Sequence, residues 1–190
     1  NVFVYNVANM LGMQNFSNAS MSVMLDKHFS MVDKVLIQIN EVAAHHATQR
    51  HILVQFMSKL KDLITEYSLT INPKFKSERD VPFFGNFILC TNSLTSIMVE
   101  LEDRRLVINH ILHQGLDPKF SRVAALVKDQ TISTQERMNV FYALRQYFLE
   151  FKMTMDLSNY RSQMTNQKEE MMLNSMSPSH ATMYEYFKDP

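Results

Sequence analysis

The chain has 190 residues, enough for one domain with a sizeable core, and its nineteen basic and nineteen acidic side chains cancel. Zero net charge excludes a uniformly basic nucleic-acid coat but leaves room for a local basic pore. A single cysteine, Cys90, excludes a disulfide framework and a thiolate zinc site within the chain, and neither an eighteen-residue apolar run nor a secretory signal pattern is present.

Val2 to Leu11 reads as a helix already under way, with no capping residue before it and Gly12 as its stop. Lys34 to Asn40, KVLIQIN, is a short apolar run of β type and predicts a buried strand. From Ala43 to Ile64 the pattern turns helical. Leu53, Phe56, Met57, Leu60, Leu63 and Ile64 share one face at steps of three and four. Ser68 to Phe84 holds two short β-type segments around the polar stretch Asn72 to Asp80, which predicts a hairpin or long loop. Phe87 to Cys90 and Leu106 to Ile111 read as two further strands.

After Gly115 the pattern is helical, first over Phe120 to Lys128. Ser133 and Glu136 then form an S-x-x-E capping box that opens a longer helix. Phe141, Leu144, Phe148, Phe151 and Met155 make its apolar stripe. The last helices begin near Thr165 and at Ser177-Pro178, where Ser caps and Pro suits the first turn. No internal repeat or low-complexity segment interrupts the order. The chain is thus of α/β class, with a strand-bearing part over 1–115 and a helical part over 116–190.

Chemistry is expected where strands end. An apolar strand closing in Asn40-Glu41 puts a carboxylate where open parallel sheets bind ligands, although many core strands end in Glu without any such role. Thr91-Asn92 closes the next core strand, and Asn92 there either holds a water or simply caps a turn. Glu102-Asp103 leads into Arg104-Arg105, whose guanidinium groups suit phosphoryl recognition or, more plainly, a surface ion pair with the acids before them. Lys74, Phe75, Lys76 and Arg79 lie in the expected hairpin, as a nucleic-acid grip or as an ordinary solvated turn. His45, His46 and His51 lack the spacing of four that sets two ligands on one helical face, so a metal hydrolase is the weakest reading. Cys90 reads as an inert core residue.

The Thr91-Asn92 pair, followed by Asp103-Arg104-Arg105 between two apolar runs, resembles the superfamily III helicases of phages, viruses and plasmids. Their AAA+ domains often sit behind a primase or primase-polymerase. The resemblance covers about residues 1 to 175 and reaches Met164-Thr165-Asn166-Gln167-Lys168, similar to that family's P-x-T-x-x-K tail. It implies an incomplete AAA+ core with a small, mainly parallel sheet and a helical C-terminal bundle. Glu41 becomes the catalytic base, Asn92 the sensor, and Arg104 or Arg105 the arginine finger. Asn40 stands where the family has a metal-binding acid.

ATP and magnesium are the implied cofactors, and single-stranded DNA the implied partner, gripped by Lys74, Phe75, Lys76 and Arg79. A ring of six copies in the cytoplasm of an infected host cell, with no membrane, completes the expectation. No G-x-x-x-x-G-K-[ST] phosphate loop occurs, so the chain is expected to begin just past that motif and to be inactive alone. A non-catalytic oligomerisation module, built on the Phe141 to Met155 stripe, is the alternative.

Overall fold

The computed structural model describes residues 2–26, 30–40, 50–72, 76–91, 93, 97–101, 103–109, 131–152 and 164–188. Its helices are α1 (Val2–Leu11), α2 (Met21–Met24), α3 (Arg50–Thr65), α4 (Thr134–Glu150), α5 (Asn166–Ser175) and α6 (Pro178–Lys188). Its strands are β1 (Phe16–Ala19), β2 (Leu36–Asn40), β3 (Ser68–Ile71), β4 (Arg79–Pro82) and β5 (Asn86–Cys90). The chain divides into two compact units, Asn1–Phe16 with Ile111–Tyr160 and Ser17–His110 with Arg161–Pro190. The predicted boundary near Gly115 and the predicted helix from Phe120 to Lys128 lie outside the described residues.

The first unit contains α1 and α4. Val4 and Ala8 of α1 and Phe141 of α4 are buried, and the Tyr5 and Phe141 rings meet edge to face at 6.2 Å. The helix α1 stops as expected at Gly12, whose φ of +90° is ill suited to any residue with a Cβ. Ser133 and Glu136 form the predicted capping box. The Ser133 hydroxyl, and then its backbone N–H, holds the Glu136 carboxyl below its ordinary pKa.

The predicted stripe along α4 is only partly buried. Phe141 is enclosed, but Phe148 and Phe151 are 58% and 59% exposed, and Met155 lies outside the described residues. The helix α4 ends at Glu150, and the backbone of Phe151 is extended, so Phe151 falls outside the helical stripe.

The second unit is built on a three-stranded sheet in the order β1-β2-β5. Strands β2 and β5 run parallel in register from Leu36 opposite Asn86 to Asn40 opposite Cys90. A parallel pair needs a long crossover. Here α3 and the β3–β4 hairpin, which follow β2 in the chain, supply it. As the central strand, β2 has its first four residues buried, which explains why all but Gln38 of them are apolar.

The apolar stripe of α3 is also as expected. Leu53, Phe56, Met57, Leu60 and Leu63 join Ile37, Ile39, Met171 and Met172 in one core. Ile64, at the stripe's margin, is 40% exposed. Gly85, just before β5, is needed for a steric reason. A Cβ there would fall 2.3 Å from the ring of buried Phe83. Gly85→Ala should therefore destabilise the protein by about 1–3 kcal/mol, the usual penalty of overpacking, measured as a lower urea midpoint at constant slope.

Two sequence expectations are corrected. Leu106 to Ile111 was expected to be a strand, yet residues 106–109 form none. Leu106 and Ile108 do turn toward the core, which explains the apolar pattern. Their backbone carbonyls, however, are taken by side chains rather than by a ladder: Leu106 O accepts from Lys168 Nζ at 2.9 Å and Ile108 O from Thr165 Oγ1 at 3.3 Å. In addition, β1 and α2 appear where no element was expected. The short helix α2 is capped by Ser20, whose hydroxyl accepts the Val23 N–H at 3.3 Å.

Candidate functional site

The carboxyl ends of β2 and β5 finish level, with Asn40 opposite Cys90. A polar side-chain network covers this edge. Gln38, only 5% exposed, donates from Nε2 to Asn40 Oδ1 and lies 3.8 Å from Cys90 Sγ. Asn40 Nδ2 in turn donates to Asn18 Oδ1 on β1 at 3.4 Å. Beyond Cys90 the chain turns polar: Thr91 Oγ1 accepts the Ser93 N–H at 3.1 Å and donates to the Ser93 carbonyl at 3.2 Å.

Glu41 follows Asn40 directly, and Asn92 follows Cys90 by two residues, but both lie outside the described residues. Magnesium takes several oxygen ligands, usually with one or two carboxylates. At this edge the described side chains offer amide oxygens already engaged by neighbouring amides, and among the described residues no group of three His, Cys, Asp or Glu could hold a metal.

The arginines stand on a separate segment. Arg104 is exposed and Arg105 half-buried, while Asp103 before them is 8% exposed. The plainer of the two readings, a surface ion pair with the preceding acids, does not hold for Asp103, whose carboxylate serves backbone. Oδ1 accepts the N–H of Arg105 at 3.0 Å and of Leu106 at 2.8 Å. Lys168 closes the arrangement from α5, fully buried. Its ammonium donates to the Asp103 carbonyl at 2.6 Å and the Leu106 carbonyl at 2.9 Å, with Asp103 Oδ1 at 3.5 Å. The two carbonyls are the closer partners, so Lys168 acts on the backbone more than as a simple ion pair. Among the described residues neither arginine guanidinium has a hydrogen-bond or ion-pair partner, and neither touches the sheet edge through such a bond.

The hairpin is antiparallel, with Ile71 opposite Arg79. Lys76 and Arg79 are exposed, while Lys74 and Phe75 lie outside the described residues. Acidic groups share the hairpin: Thr70 Oγ1 donates to Asp80 Oδ1 at 2.6 Å, and Asn72 Nδ2 to Glu78 Oε1 at 2.9 Å. The hairpin's described part is therefore mixed in charge. His51 is exposed on α3, and His45 and His46 are outside the described residues. A groove of about 950 Å³ lies between α3 and α6, lined by Met57, Met98, Met183, Tyr184 and Phe187 among others, and it includes none of the predicted site residues.

Sequence reasoning missed Gln38 and the bracing role of Asp103 and Lys168. For Gln38 a signal existed, since a lone amide inside an apolar strand calls for a partner. The type of Lys168 gives no such signal, because lysine is ordinarily exposed.

A family model described as a family of unknown function, DUF5906, matches residues 1–105, more than half of the chain. The chain is 30% identical over 95 residues to the DNA primase-polymerase of Nitratiruptor phage NrS-1, covering 47% of this chain and 13% of that protein. Solved apo structures of the NrS-1 C-terminal region share the fold. One aligns with TM-score 0.64 at 20% identity, covering 91% of this chain and 40% of that one. The A form aligns with TM-score 0.63 at 22% identity, covering 90% and 39%. This chain thus spans well under half of that region and a small part of the whole phage protein.

Proposed function

The chain belongs to the DUF5906 family, and from that premise we propose that it is the C-terminal helicase portion of a phage replication protein. In this reading the whole protein is a primase-polymerase joined to a superfamily III AAA+ motor, working in the cytoplasm of the infected cell. ATP hydrolysis with magnesium drives a ring of six copies along single-stranded DNA. The single observation that supports the reading is the level finish of parallel β2 and β5, with Asn40, next in sequence to Glu41, opposite Cys90, two residues before Asn92. Parallel sheets bind ligands beyond such ends. The likeness to a phage primase-polymerase supports the same class.

Each residue then has a task. Glu41 takes the proton of a water that attacks the γ-phosphorus as the bond to ADP breaks. Asn92 holds that water. Arg104 or Arg105 of the neighbouring copy neutralises the charge developing on the transferred phosphoryl group. Lys74, Phe75, Lys76 and Arg79 grip the DNA backbone and bases. In the full-length protein, Glu41→Gln should abolish DNA-stimulated ATP turnover and leave nucleotide affinity in place, because a base acts on the chemical step. Turnover kinetics beside equilibrium nucleotide binding test this. Wild-type turnover by the variant would reduce Glu41 to a strand terminus.

A specific observation also favours a second reading, a non-catalytic oligomerisation module. Tyr147, Phe148, Leu149 and Phe151 crowd the end of α4, each more than half exposed. Self-association of the chain in the absence of nucleotide, lost on replacing Phe148 with a polar residue, would select that reading.

A further inference from the structure

The segment from Ile97 to Asn109 carries the twin arginines, yet its described residues form no helix or strand. Such a segment must find partners for its backbone elsewhere. It finds several of them on α5. At the C-terminal end of that helix, Ser175 Oγ accepts the Val99 N–H at 3.0 Å. At its N-terminal end, Thr165 Oγ1 caps the helix through the Lys168 N–H at 3.2 Å and donates to the Ile108 carbonyl at 3.3 Å. Between these points Met171 and Met172 share a core with Ile97 and Val99.

We infer that α5 is a splint for this segment, and that Lys168 is a positioning residue for Arg104 and Arg105. The two carbonyls that Lys168 grips, of Asp103 and Leu106, bracket the arginines in the chain. Asp103 Oδ1 clasps the same turn from inside through the N–H groups of Arg105 and Leu106. The backbone under the arginines is thereby fixed while their guanidinium tips stay unengaged among the described residues. An ammonium suits this task because its three donors match two carbonyls and one carboxylate oxygen within a small space. A methionine of similar length would withdraw the donor from both carbonyls. Arginine's wider planar fork matches a flat carboxylate better than a bent backbone turn.

The bracing stands on the hydrogen bonds alone; only the word "positioning" rests on the proposed function. Both parts are tested with Lys168→Met and Asp103→Asn. In the 190-residue chain, limited trypsin digestion compares cleavage after Arg104 and Arg105 with cleavage after Lys76 and Arg79, which serve as an internal reference. The expected ratio rises about tenfold or more, as for loss of a buried hydrogen bond to a charged group. In the full-length protein, kcat for ATP should fall by about tenfold or more with nucleotide affinity unchanged, well below the thermal midpoint of each variant.

An unchanged cleavage ratio overturns the splint. A raised ratio with unchanged kcat overturns the positioning role. Where Lys168→Met does not fold, Thr165→Val removes the cap and the Ile108 contact but keeps the buried charge, and the same two measurements decide. If Arg104→Ala and Arg105→Ala both turn over normally, the proposed function fails and takes the positioning role with it, while the cleavage ratio still decides the splint.

Discussion

Arg105→Ala in the full-length protein should bind ATP, assemble, and lose turnover by about 10³–10⁵-fold, the range seen when an arginine finger is removed. The physical basis is that a guanidinium placed against developing phosphoryl charge acts in the transition state more than in the ground state. The half-buried Arg105 side chain rises from a turn whose amides are held by Asp103, so alanine removes the charge and leaves the turn clasped. Nucleotide affinity should then stay near wild type while kcat collapses. Mixing decides whether the residue acts in trans. Rings exchanged with Glu41→Gln subunits should regain activity, because an intact site on one subunit borrows an intact arginine from the next. No recovery after verified exchange, or normal turnover by Arg105→Ala alone, moves the finger to Arg104 or removes it from the account.

Phe56→Ala should cost about 3–5 kcal/mol of folding stability, a large share of what a single domain has to lose. Phe56 is fully buried at the centre of the α3 stripe, in the core that also takes Ile37 and Ile39 from β2 and Met171 and Met172 from α5. Truncation removes the transfer energy of the ring and leaves a cavity walled by sheet and helix, which has little freedom to collapse. Urea denaturation gives the measure. Val54→Ala, on the same helix but 47% exposed, should stay within about 0.5 kcal/mol of wild type. A loss of under about 1 kcal/mol for Phe56→Ala would mean that α3 is not docked on the sheet as described.

The elements most legible in the sequence are those whose burial follows a strict local period. The α3 face repeats at steps of three and four, three of the four buried residues of β2 are apolar, and the Ser133–Glu136 box is a self-contained pattern of four residues. Gly12 marked the end of α1 because a backbone at positive φ selects glycine. The failures have a common origin in distance along the chain. Leu106 and Ile108 carry a strand-like pattern, but Lys168 and Thr165, about sixty residues later, claim their carbonyls. The four residues of β1, FSNA, have no alternation to read and become a strand only by lying beside β2. Lys168 looks like a surface residue until the acceptors around it are assembled. Of the expected site, Asn40 is placed at the sheet edge, opposite Cys90, and Arg104 and Arg105 are placed on a turn clasped by Asp103.

The two units are interleaved along the chain rather than laid end to end: the first takes residues 1–16 and 111–160, the second 17–110 and 161–190. During synthesis, then, the sheet-bearing unit cannot close when its strands emerge from the ribosome. It must wait, with the groove-lining face of α3 and the backbone around the arginines uncovered, until another fifty residues have been made and α5 arrives. Loop closure across that interval is entropically slow relative to local helix formation. The nascent chain therefore passes through a period of exposed apolar surface in which chaperone capture competes with folding. No single cut frees either unit intact.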